Sequence, residues 1–115
     1  MSIREEDVLL RVFTGETQTV HGRALYEAIV LEARRIGIAG ATVIRGVYGY
    51  GASRKLHSAK LVELTEDLPV IVEMVDTIEM INEMLPWLDA NLKKGFVTME
   101  KVFVKRFPGN QETSL

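Results

Sequence analysis

The chain has 115 residues, 47% of them hydrophobic and 26% charged, with a net charge of −2 and a pI near 5.7. That is enough for one domain with one core, and the charge balance gives no footprint for nucleic acid or an anionic membrane. The lack of cysteine excludes disulfides, zinc–thiolate sites and thiol catalysis. The opening run Ser2-Ile3-Arg4-Glu5-Glu6-Asp7 is too charged for a signal peptide. No apolar run reaches the ~18 residues needed to span a bilayer. A cytoplasmic protein that is not itself membrane-embedded is the expectation.

Residues 8–14 alternate, with Val8, Leu10 and Val12 on one side and Leu9, Arg11 and Phe13 on the other, which predicts a strand. A polar loop follows over residues 15–22. Leu25, Ala28, Ile29, Ala33 and Ile36 fall on one stripe at helical spacing and predict a helix over 23–36. Gly37 suits the left-handed position just past its end. A second strand is predicted over 41–47 and a third over 69–76, with Pro69 at the start, where a missing N–H does least harm. Asp76 reads as the N-cap of a second helix, with Glu79 completing a capping box. Ile78, Ile81, Met84 or Leu85, Leu88 and Leu92 form its buried stripe, Pro86 predicts a kink, and Gly95 ends it. The last strand is predicted over 98–107.

This order predicts an α+β, ferredoxin-like β-α-β-β-α-β sandwich, as a single domain over residues 1–107 with a polar tail over 108–115. The sheet face away from the helices should meet water and be polar. Instead it is assigned Leu9, Phe13, Val43, Val47, Ile71, Val75 and Phe103, with Arg11, Arg45, Glu73 and Lys101 among them. So contiguous an apolar patch points to cover by a second copy. A slip in one strand's register would swap its faces.

Between the second and third strands lies a loop long enough to suggest function. Residues 60–64 alternate and predict a short strand, which leaves residues 48–58 as the tip. Gly46, Gly49 and Gly51 free its backbone, and Arg54, Lys55 and Lys60 make it basic within an acidic chain. Ser53 and Ser58 add hydroxyls, and Tyr48 and Tyr50 could stack on a planar base. A small anionic ligand or an acidic partner fits this composition; so does a solvated hairpin tip. Gly49, Gly51, Ser53, Arg54 and Lys55 are the candidate binding residues here. His21 and His57 lack metal-ligand spacing, so no metal site is expected.

Gly40-Ala41-Thr42-Val43 running into Gly49-Tyr50-Gly51 resembles the strand that leads into the mobile T-loop of PII signalling proteins. The run Lys94-Gly95-Phe96-Val97-Thr98-Met99-Glu100-Lys101-Val102 is similar to the PII segment that closes the nucleotide site, with Lys101 at the phosphate-binding lysine. With Leu25-Tyr26-Glu27-Ala28-Ile29, Gly37-Ile38-Ala39 and Leu68-Pro69-Val70, these stretches resemble still more closely the PII-like family known as domain of unknown function one-ninety, over residues 7–107.

The resemblance implies a homotrimer with inward-facing sheets and no catalytic residues. It implies a regulator that binds a small anionic ligand, such as an adenine nucleotide, between subunits. Its loop would then signal to a partner. Members stand beside genes for fluoride exporters, which implies a membrane transporter as that partner. Thr98 and Glu100 stand near the positions of the glycines with which PII wraps a phosphate, and Ser53 stands near that of its loop glutamine. Lys101 is open to two roles, a phosphate ligand or a partner for Glu73.

Three other readings are open. The chain could be a ligand-free adaptor of a membrane transporter. It could be a small hydrolase, for which Ser53 with His57 is the available nucleophile–base pairing. An RNA-binding module is disfavoured by two sheet aromatics and an acidic balance.

Overall fold

The computed structural model describes residues 5–51, 53–58 and 67–107. In chain order these form β1 (Glu5–Gly15), β2 (Thr19–Val20), β3 (Arg23–Ala24), α1 (Leu25–Ile36), β4 (Ala41–Arg45), β5 (Tyr48–Gly49), β6 (His57–Ser58), β7 (Pro69–Asp76), α2 (Ile78–Asn91) and β8 (Phe96–Val104). Four strands make one antiparallel sheet in the order β4-β7-β1-β8. That is the ferredoxin-like arrangement expected of two β-α-β units. The alternating strand over 60–64 and the tail over 108–115 lie outside the described residues.

The core sits between the helices and one face of the sheet. Leu10 and Val12 of β1 and Val70, Val72 and Met74 of β7 are buried against Leu25, Ile29 and Ala33 of α1 and Ile81, Met84 and Leu88 of α2. The helical stripes are those the spacing predicts, apart from Ile78, which is exposed. Ile29 and Ile81 are fully buried, so truncating either to alanine should cost about 2–5 kcal/mol.

The element ends follow from caps. Gly37 has φ 101 and donates its N–H to Ala33 O, closing α1 in the left-handed conformation. The N-cap of α2 is Thr77 and not Asp76: Thr77 Oγ1 accepts from Met80 N at 3.2 Å. Asp76 instead braces the turn, its carboxylate accepting from Thr77 N at 2.7 Å and from Ala39 N at 2.9 Å. The helix continues through Pro86 to Asn91.

Two strand registers differ from the sequence expectation. Directly opposed residues of an antiparallel pair share a face. Val43 opposes the buried Val72, and Arg45 opposes the buried Val70, so both lie on the helix side. Thr42 and Ile44 take the outer face. In β8, Lys101 opposes Val8 and Met99 opposes Leu10, so Lys101 and Phe103 also lie on the helix side. Phe96, Thr98, Glu100, Val102 and Val104 take the outer face. Val47 follows the end of β4 and belongs to neither face of the sheet.

The outer face is nonetheless apolar. Leu9 and Phe13 of β1, Ile71 and Val75 of β7, Ile44 of β4 and Phe96, Val102 and Val104 of β8 lie across it. Phe13 stacks on Phe96 with ring centroids 4.7 Å apart. Phe96 is 58% exposed, and Ile44 is also exposed.

Candidate functional site

The long loop leaves the edge strand β4 at Gly46. Gly46 N donates to Pro69 O at 2.7 Å, tying the exit of β4 to the start of β7. A side chain at Gly46 or Gly49 would press on Pro69 at 3.2 Å. Both glycines thus let the loop base lie against Pro69. β5 then pairs with β6, Gly49 opposite His57 and Tyr48 opposite Ser58.

Beyond Gly49 the chain turns back. Arg54 N donates to Gly51 O at 2.9 Å, and Arg54 itself has φ 61. Ser53 Oγ accepts from Lys55 N at 3.4 Å. The tip so formed brings together five of the six sequence candidates: Gly49, Gly51, Ser53, Arg54 and Lys55. Arg54 and Lys55 are exposed and have no carboxylate partner among the described residues. Tyr48 and Tyr50 are exposed beside them. The tip is a small cationic, hydroxyl-bearing surface flanked by aromatic rings.

The sixth candidate, Lys101, is elsewhere. It lies on β8, the opposite edge of the sheet from β4. Three strand spacings, roughly 14 Å, separate those edges. Within one chain Lys101 therefore does not meet the loop tip. Its side chain is 81% exposed, with Nζ 3.6 Å from Glu6 Oε1. It does not pair with Glu73, as the face swap of β8 requires.

Glu73 belongs to a different cluster. Arg11 Nε donates to Glu73 Oε2 at 2.8 Å, and Arg11 Nη1 donates to Glu100 Oε1 at 2.7 Å. One guanidinium thus spans β7, β1 and β8 in the middle of the apolar outer face. These bonds, the one to Glu73 foremost, raise the Arg11 pKa above its ordinary value. The charge of Glu100 is thereby paired with the Arg11 guanidinium.

The residues after β8 return over the same face. Arg106 Nη2 donates to Asp7 Oδ2 at 2.9 Å, and Arg106 lines a hollow of about 250 Å³ with Thr42, Glu73 and Val75. Sequence reading missed this ion pair, because Asp7 and Arg106 each sit in charged runs with no spacing signal. It also missed the β2–β3 hairpin, whose available signal was the His21-Gly22 pair. Among the described residues no cluster of His, Cys, Asp and Glu is arranged to hold a metal ion, and no helix is long and apolar enough to cross a membrane.

Comparison with known proteins adds family and fold. The family model DUF190, described as an uncharacterized ACR, matches residues 7–104. A UPF0166 protein of Aquifex aeolicus (strain VF5) is 36% identical over 96 residues, 84% of this chain and 90% of the relative. A UPF0166 protein of Methanocaldococcus jannaschii is 39% identical over 87 residues, 76% of this chain and 80% of the relative. Among solved structures, CPII of Thiomonas intermedia K12, a nitrogen regulatory PII-like protein bound to ADP, AMP and bicarbonate, superposes with a TM-score of 0.65 at 18% identity, covering 90% of this chain and 92% of CPII. A putative PII-like signaling protein of Thermus thermophilus also gives 0.65, at 17% identity, over 90% and 94% of the two chains. At these identities the structural matches speak for the fold.

Proposed function

Because the chain belongs to the DUF190 family and has the PII-like fold, we propose that it is a regulatory protein whose ligand site is built between copies of itself. The observation that carries this reading is the division of the candidate site. Gly49, Gly51, Ser53, Arg54 and Lys55 stand at one edge of the sheet and Lys101 at the other. A closed ring of copies can set the β8 edge of one beside the β4 edge of the next. The apolar outer face supports the same assembly, since a monomer seldom exposes such a patch. A homotrimer with that face inward satisfies both.

The ligand this cleft suits is a small anion with a planar body, and an adenine nucleotide has that chemistry. The anionic groups meet Arg54, Lys55 and the neighbouring copy's Lys101, and the base meets Tyr48 or Tyr50. CPII, which shares the fold, takes ADP, AMP and bicarbonate. The site offers charge and backbone N–H groups, which supports a role in binding and signalling. Ligand shifts the loop only through better binding to one loop state, and the ordered loop presents a surface to a partner, for which a membrane transporter is our candidate.

The test is native mass spectrometry with ADP, followed by calorimetry on K101A and on R54A/K55A. A trimer that binds ADP, with affinity falling about tenfold or more in each variant, supports the reading. Mixed trimers of the two variants should regain some intact sites. A monomer overturns the assembly. A trimer blind to ADP, AMP and ATP overturns the nucleotide and favours the ligand-free adaptor.

A further inference from the structure

The helical layer carries a recess of its own, outside the loop. The chain reverses at Val20-His21-Gly22-Arg23, with φ 50 at His21 and 77 at Gly22. These are the two consecutive positive values of a type I′ hairpin turn. Leu25 N donates to Gln18 O at 2.8 Å, which fixes the hairpin against the start of α1. Between the hairpin, α1 and Trp87 of α2 lies an open groove of about 280 Å³. Val20, Ala28 and Leu31 give it apolar walls, and Trp87 gives it an aromatic one.

The polar groups in this groove are unevenly satisfied. Glu32 and Arg35 satisfy each other through two bonds, at 2.8 Å and 2.6 Å. That leaves Arg23, His21 and the indole N–H of Trp87. None of the three has a hydrogen-bond or ion-pair partner among the described residues. The exposed Arg23 guanidinium and His21 imidazole, both hydrogen-bond donors, therefore share one groove with Trp87, and its single carboxylate is already engaged.

We propose that this groove binds a small organic acid, its carboxylate against Arg23 and His21 and its apolar or aromatic body along Trp87 and Leu31. Arg23 is the principal contact, because its planar fork matches a carboxylate in two bonds. The volume lies just below the ~300–1,000 Å³ of drug-sized pockets. The ligand is thus smaller than a nucleotide, and the site is independent of the cleft proposed above. Apolar contact supplies affinity, and the Arg23 guanidinium supplies the preference for acid over amine.

Trp87 is the single tryptophan of the chain, so its fluorescence reports on the groove without interference. The experiment titrates the full chain with sodium hexanoate and, at matched ionic strength, with hexylammonium chloride. A saturable change with hexanoate at about 0.1–10 mM, absent with hexylammonium, is expected. R23Q should weaken it about tenfold or more. L31D, which places a repelling carboxylate on the wall, should abolish it, while K101A should leave it unchanged. Both Arg23 and Leu31 are exposed, so the variants should fold, and circular dichroism checks that they do. A response equal for acid and amine, no saturation below about 50 mM, or an unaltered midpoint in both R23Q and L31D overturns the proposal.

Discussion

Arg106 and Asp7 form an ion pair that joins the segment after the last strand to the first strand. The Asp7 side chain is 1% exposed, and Arg106 Nη2 reaches it at 2.9 Å. A buried carboxylate that loses its partner keeps the cost of desolvation without the compensating attraction. Arg106 is itself 45% exposed, so the loss should fall below that of a fully buried pair. R106A should cost about 1–3 kcal/mol in urea denaturation. In a D7N background the same substitution should cost much less, because the charge it strands is gone. An equal cost in both backgrounds would mean that Arg106 acts through packing alone.

Two glycines with positive φ should respond very differently to alanine. Gly22 has φ 77 and open space around its missing side chain. G22A pays only the left-handed backbone strain, about 1 kcal/mol. Gly95 has φ 127, and a Cβ there would collide with the carbonyl oxygen of Phe13. G95A must shift the turn that leads from α2 into β8, so it should cost about 3 kcal/mol or more. Denaturation midpoints of the two variants check the ranking.

The sequence made the central strands legible and the edge strands ambiguous, for a physical reason. β1 and β7 each carry one charge at the centre of the outer face, Arg11 between Leu10 and Val12 and Glu73 between Val72 and Met74, although Leu9, Phe13, Ile71 and Val75 on that face are apolar. Those two charges suffice to orient the central strands. β4 is an edge of five residues with Val43 and Ile44 adjacent, both partly exposed. β8 carries Met99 and Phe103 on one side and Phe96, Val102 and Val104 on the other. With apolar side chains on both faces, alternation gives no direction, and the sequence reading of both strands is one residue out of phase. The inference of an apolar outer face survives because the swapped residues are equally apolar. The site was legible where composition marks it, at residues 49–55. Its separation from Lys101 depends on strand order, which local sequence does not encode.

Glu32 should contribute a modest, pH-dependent increment to α1. The bidentate contact from Arg35 lowers its pKa below 4.5, against an opposing effect of burial. A carboxyl depressed in the folded state binds protons more readily when unfolded. Its stabilisation is therefore complete above about pH 4.5 and disappears as the pH falls through the folded value. The pair is exposed on the arginine side, so the increment is small. E32Q should lower Tm by about 2 °C at neutral pH, and wild type and E32Q should converge on acidification towards pH 3. A difference that persists undiminished at that pH would assign the loss to packing.

The Arg11 cluster makes a sharper claim about assembly. Two carboxylates share one guanidinium in the middle of an apolar face. Were that face open to water, removing the arginine would matter little, since exposed pairs contribute weakly. If copies of the chain cover it, R11M leaves Glu73 and Glu100 facing one another in a desolvated layer, and the assembly should dissociate. The triple variant R11M/E73M/E100M removes every charge and should assemble again, because apolar replacement of a buried ionic cluster is often neutral or stabilising. Sedimentation of wild type, R11M and the triple variant at equal concentration separates the cases. Loss and recovery of the oligomer would place the cluster inside the assembly. An oligomer indifferent to R11M would place the contact between copies on another surface.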